Sequence, residues 1–120
     1  MLLVDDDPLL LKSLREILQQ DGHLITAANG GQEGIETFTT ARRRGETYDL
    51  VMSDLGMPYV DGRKVAAAVK ALSPDTPVIL LTGWGQRMIE ANDLPAFVDR
   101  VLSKPPRLLE LREAFAELAP

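Results

Sequence analysis

The feature that most limits what this chain can fold into is an alternation. Short, mainly apolar runs take turns with stretches whose apolar residues recur at helical spacing, and the pattern repeats five times in 120 residues. The apolar runs are Met1–Val4, His23–Ala28, Tyr48–Ser53, Pro77–Leu81 and Val101-Leu102. The first helical stretch starts at Asp7-Pro8, carries Leu10, Leu14, Ile17 and Leu18, and stops at Gly22. The second covers Gln32–Arg44 around Ile35 and Phe38. The third carries Val65, Val69 and Leu72 and ends at Ser73-Pro74. A weaker one covers Arg87–Asn92. The last follows Pro106 and aligns Leu108, Leu111, Phe115 and Leu118 on one face. Asn29-Gly30-Gly31, Met57–Gly62 and Gly83-Trp84-Gly85 read as loops. Strands that alternate with helices predict an α/β fold: a five-stranded parallel sheet with helices on both faces. One domain over 1–120 is expected, with no repeat and no linker.

Charge and composition then remove several functions. The chain has 18 acids, 13 bases and a net charge of -5. Such a surface repels the phosphate backbone, which argues against direct nucleic-acid contact. The one basic run, Arg42-Arg43-Arg44, reads as the solvated last turn of a helix, where cations suit the dipole. There is no cysteine, so disulfides, thiolate nucleophiles and thiolate metal sites are ruled out. No apolar run approaches the ~20 residues that span a bilayer, and no signal-peptide pattern opens the chain. The expectation is a cytoplasmic domain without direct membrane contact.

The chemistry is carried by the polar residues that close the apolar strands. The first strand ends in Asp5-Asp6-Asp7, the third in Asp54, the fourth in Thr82 and the fifth in Lys104. Open α/β sheets bind ligands beyond the carboxyl ends of their strands, at the topological switch point. The fold therefore collects carboxylates, a hydroxyl and an ammonium in one crevice. Crowded carboxylates repel unless a cation intervenes. Oxygen donors without cysteine or nearby histidine suit Mg²⁺, which keeps several waters and takes one or two carboxylates. A lysine and a hydroxyl facing that ion complete a phosphate site, and an aspartate beside it can act as a nucleophile. Mg²⁺-assisted phosphoryl transfer is the chemistry these groups suit. Asp7 reads as a helix cap and Asp61-Gly62 as a turn followed by a helix start. Capping is also the plain alternative for Asp5 and Asp6. His23 reads as surface.

Five segments, Leu3-Val4-Asp5-Asp6-Asp7, Tyr48–Asp54, Met57-Pro58 with Asp61-Gly62, Val78–Thr82, and Leu102-Ser103-Lys104-Pro105, together resemble the response-regulator receiver domain of two-component signalling. The resemblance spans the chain. It implies a flavodoxin-like (βα)5 fold with sheet order 2-1-3-4-5. It implies a phosphoacceptor switch that takes a phosphoryl group from a histidine kinase phosphohistidine, and not an enzyme acting on an external substrate. By position, Asp54 matches the phosphorylated aspartate. Asp6 matches the direct Mg²⁺ ligand, Asp5 the residue that acts through metal-bound water, and Gly56 the backbone carbonyl ligand. Thr82 matches the hydroxyl that follows the phosphoryl group, Lys104 its lysine partner, and Pro105 a proline with a cis peptide. The implied partners are a sensor histidine kinase or phosphotransfer domain, with room for a homodimer through the last helices. Activation is implied to change the surface around the fourth strand, the segment Arg87–Asn92 and the fifth strand.

Two positions depart from the family pattern. Val101 stands where an aromatic switch residue is common, which points output toward backbone shifts. Gly83 stands where alanine is common, leaving the phosphoryl pocket open, and Trp84 follows, either at its rim or packed against the weak helix over Arg87–Asn92. The run Thr82–Gly85 with Val98–Pro105 is also similar to receivers fused to the C-terminus of sensor histidine kinases. Two other readings fit less well. A Mg²⁺-dependent phosphohydrolase with an aspartate nucleophile commonly needs an acid two residues on, where this chain has Gly56. An FMN-binding module would find its phosphate repelled by Asp5-Asp6-Asp7.

Overall fold

The computed structural model describes residues 1–83, 87, 88, 91 and 94–118. Five strands form one sheet: β1 (Leu2–Asp5), β2 (Thr26–Asn29), β3 (Val51–Asp54), β4 (Val78–Thr82) and β5 (Arg100–Ser103). They run in the order β2-β1-β3-β4-β5, and every neighbouring pair is parallel. The helices are α1 (Pro8–Gln20), α2 (Gly31–Arg43), α3 (Gly62–Leu72) and α4 (Leu108–Leu118). Of the helix expected over Arg87–Asn92, Arg87 and Met88 are helical and Met88 is buried. The rest of that expectation, and Trp84, lie outside the described residues.

The sheet is packed on both faces. Leu3, Met52, Ile79 and Leu102 join Leu14 and Leu18 of α1 and Leu111 of α4. Val4, Val51, Leu80 and Val101 join Phe38 of α2 and Val65 of α3. Successive strand residues thus serve opposite cores, which is why the strand sequences lack polar alternation.

Several expected boundaries move. The run His23–Ala28 becomes a strand only from Thr26, where its N–H meets the carbonyl of Met1 at 3.0 Å. Upstream, Gly22 (φ 91°) and His23 donate backwards to Gln19 and Leu18, so the chain is still closing α1. His23 is half-buried and meets Phe115 edge to face with ring centroids 5.0 Å apart. β3 starts later than Tyr48 and runs on to Asp54. The core stripe of α1 is Leu11, Leu14 and Leu18, and Ile17 falls on the solvent flank. Arg42 and Arg43 do occupy the exposed last turn of α2.

α2 begins at Gly31, the last residue of the expected loop. A Cβ on Gly31 would stand 2.1 Å from the carbonyl oxygen of Val60, so helix and loop touch through bare backbone. Gly31→Ala should destabilise the fold by about 2–3 kcal/mol, the usual penalty of overpacking. Urea unfolding measures it, and an unchanged midpoint would contradict this account of Gly31.

Candidate functional site

Parallel register sets the strand ends level. Asp5 closes β1 and Asp54 closes β3, opposite Leu81. Thr82 closes β4 opposite Ser103, and Lys104 follows directly. The peptide between Lys104 and Pro105 is cis, as the resemblance implies. The Lys104 N–H donates to the Thr82 carbonyl at 3.0 Å, which fixes where the lysine leaves the sheet. Four residues separated by up to a hundred positions therefore share one crevice.

Asp5 is fully buried, Asp54 and Thr82 nearly so, and Asp6 is exposed. Carboxylate oxygens of Asp5, Asp6 and Asp54 all lie within 4.8 Å of one another. Lys104 Nζ stands 3.1 Å from Asp5 Oδ2 and 3.1 Å from Asp54 Oδ2. One ammonium thus bridges two buried acids. Asp5 Oδ1 accepts the Asp7 N–H at 2.9 Å. Asp5 Oδ2 has no aligned hydrogen-bond donor although it is buried. A buried acceptor of that kind suits an ordered water or an ion. Hard oxygen donors, one of them open to water, fit Mg²⁺ with a mostly aqueous shell.

Burial pushes the Asp54 carboxyl above its ordinary range, and the charge of Asp5 adds to this. Lys104 and a backbone hydrogen bond from Gly56 pull the other way without cancelling it. For Lys104, burial works downward, but the close carboxylates of Asp54 and Asp5 outweigh it and leave the ammonium held above its usual value. A raised carboxyl pKa means that ionisation opposes folding. Its stability contribution is complete below the unfolded pKa and is lost as pH rises through the folded one. Asp54→Asn should therefore raise the melting temperature in metal-free buffer at pH 7 by a few degrees, the scale of about 1 kcal/mol. The gain should shrink toward pH 4. A lower melting temperature at pH 7 would contradict this balance.

The other expected residues separate clearly. Asp7 caps α1, accepting from Leu9 N at 3.0 Å and Leu10 N at 3.3 Å. Asp61 caps α3 in the same way through Arg63 and Lys64. Gly56 has open space where a side chain would be, and so has the exposed Gly83. Val101 is core, level with Leu80. Two features of the site went unread: the double role of Lys104, and the buried hydroxyl of Ser53, which donates to the carbonyl of Asp54 at 3.0 Å. A lone serine before the acid at the end of an apolar strand was the available signal.

Comparison with known proteins places the chain in a family. Residues 1–116 match the family model of the response regulator receiver domain. The chain is 41% identical over 85 residues to the transcriptional regulatory protein GlrR of Escherichia coli K12, covering 71% of this chain and 18% of that one. It is 35% identical over 112 residues to the two-component response regulator ORR22 of Oryza sativa, covering 93% and 16%. The chain thus spans less than a fifth of these relatives. Among solved structures, the response regulator TrrA of Thermotoga maritima in complex with Mg²⁺-BeF superposes with a TM-score of 0.81 at 32% identity, covering 98% of this chain and 96% of that one. The receiver domain of sensor histidine kinase PA1611 of Pseudomonas aeruginosa, with magnesium in its active-site cleft, gives 0.81 at 25%, covering 98% and 93%.

Proposed function

From the premise that this chain belongs to the response regulator receiver domain family, we propose that Asp54 is its phosphoacceptor and that Asp5, Asp6, Asp54 and the Gly56 carbonyl are its Mg²⁺ site. The observation that carries this reading is the bridging of Asp5 and Asp54 by one ammonium beside a third acid, Asp6. Receiver domains take their phosphoryl group from histidine kinases, and the donor here is phosphohistidine. An Asp54 carboxylate oxygen attacks phosphorus in line, the N–P bond breaks with its electron pair going to the ring nitrogen, and the donor's ring, protonated on its other nitrogen, leaves as neutral imidazole while an acyl phosphate forms. The raised pKa of Asp54 makes that oxygen more basic than a surface carboxylate. Mg²⁺, when bound, neutralises charge on the phosphoryl oxygens. Lys104 turns from Asp54 to the new oxygens, and Thr82 closes on them from β4. The burial of Asp54 limits water at the product.

Output follows from the same residues. Val101 cannot swing as an aromatic ring does, so movement of Thr82 reaches β4, β5 and the segment between them through the backbone. The cytoplasm is the setting, and a second copy meeting the last helices is the assembly that fits. Placement at the end of a sensor histidine kinase is consistent with the likeness to such a receiver.

Phosphoryl uptake is the test. Phosphoramidate or acetyl phosphate with Mg²⁺ should add one phosphoryl group by intact mass, and chelation should prevent it. Label that resists hydroxylamine, or uptake unaffected by chelation, would contradict the proposal.

A further inference from the structure

The backbone around Asp54 is held by groups that lie outside the acid cluster. Ser53 interrupts the apolar strand β3 and is fully buried. Its hydroxyl donates to the carbonyl oxygen of Asp54 at 3.0 Å. A buried hydroxyl forfeits its water, so it adds nothing over an apolar residue unless its hydrogen bond is useful. The same carbonyl abuts the start of α3. A Cβ on Gly62 would lie 2.5 Å from it and 2.9 Å from Leu55 Cα. The N–H of the same peptide, that of Leu55, donates to the Leu81 carbonyl at 2.9 Å, and in the next peptide Leu55 O accepts the Gly62 N–H at 2.9 Å. The next residue is Gly56, whose backbone lies near enough to the Asp54 carboxylate to favour its charged form.

We propose that Ser53 and Gly62 are positioning residues for phosphoryl transfer: the Ser53 hydroxyl and the close approach that the bare Cα of Gly62 permits hold the Asp54 carbonyl, and so aim both the Asp54 carboxylate and Gly56. The inference rests on the reading of Asp54 as acceptor. The clamp works through backbone. Rotating the peptide after Asp54 would swing Gly56 away from the carboxylate and displace its own carbonyl in the same step. Leucine or valine at position 53 would bury as well but would leave the Asp54 carbonyl without its hydroxyl donor, the peptide then held by the Leu55 N–H and by Gly62 alone.

Mg²⁺ titration of Ser53→Ala followed by amide NMR, beside labelling from phosphoramidate at saturating Mg²⁺, tests the clamp. Groups that orient metal ligands typically change affinity or activity by 10–100-fold. The expected result is an Mg²⁺ Kd raised about tenfold and slower labelling. The Leu55 and Gly56 amide resonances should move in metal-free buffer, while those of β2 stay in place. Gly62→Ala should move the same resonances and weaken Mg²⁺ further. A folded Ser53→Ala with parental Kd, labelling rate and Gly56 resonance would overturn the inference alone, with Asp54 still labelled. Should Ser53→Ala not fold, Ser53→Cys, which keeps a side chain but donates weakly, is read by the same criteria. Labelling of the parent protein at a residue other than Asp54 would instead overturn the acceptor reading, and the clamp's role in transfer with it.

Discussion

Lys104→Met is expected to destabilise the metal-free domain by about 3 kcal/mol, the low end of the range for breaking a buried ion pair by removing one partner. The low end applies because Lys104 keeps some exposure while its partners have almost none. Its single ammonium is 3.1 Å from both Asp5 Oδ2 and Asp54 Oδ2. Removing it leaves two buried carboxylates facing each other, and Asp5 Oδ2 already lacks an aligned donor. Asp54, whose pKa is raised even with the lysine present, would rise further. The loss should therefore be greatest near neutral pH and shrink as pH falls and one of the pair takes up a proton. Millimolar Mg²⁺ should restore much of the stability, since a ligand that binds only the folded state stabilises it by mass action. Urea unfolding with and without Mg²⁺ measures both effects. A variant as stable as the parent in metal-free buffer would mean that the acids do not need the ammonium.

The parts of the site that could be read in the sequence were those in which a polar residue closes an apolar strand. Asp5, Asp54, Thr82 and Lys104 each stand at such a point, and parallel pairing sets those points level. Asp7 and Asp61 were equally plain, because a helix start needs an acceptor for its free N–H groups. The order of the strands was a different matter. Alternation implies parallel pairing, but it does not say which strand lies in the middle, and only the family resemblance supplied 2-1-3-4-5. Boundaries slipped where side-chain preference and backbone bonding disagreed. His23-Leu24-Ile25 looks like strand, yet backbone N–H groups of residues 21–23 are spent on closing α1.

Other features could not be read because they depend on what stands across a gap. Nothing near Gly31 or Gly62 in the chain announces that the Val60 and Asp54 carbonyls will lie against them. The bridging position of Lys104 likewise follows from Asp5 and Asp54 being ends of adjacent strands. Val101 illustrates the reverse case. Its identity was visible as a departure from the family pattern, and its place in the core beside Leu80 is what makes an aromatic swing unnecessary to the fold.

The central claim is that Asp54 carries the phosphoryl group. Of the three clustered acids, Asp5 is fully buried with one oxygen engaged by the Asp7 N–H, and Asp6 lies in solvent. Asp54 combines burial, a raised pKa and an ammonium next to the oxygen that would attack. Its neutral isostere keeps the shape and loses the nucleophile, so the effect should be all or none. The most direct measurement is borohydride trapping of the protein treated with phosphoramidate and Mg²⁺, followed by peptide mass spectrometry. Reduction of the acyl phosphate should convert Asp54 to homoserine, and Asp54→Asn should yield no such product and no label. Homoserine at Asp5 or Asp6, or label retained by Asp54→Asn, would contradict the account.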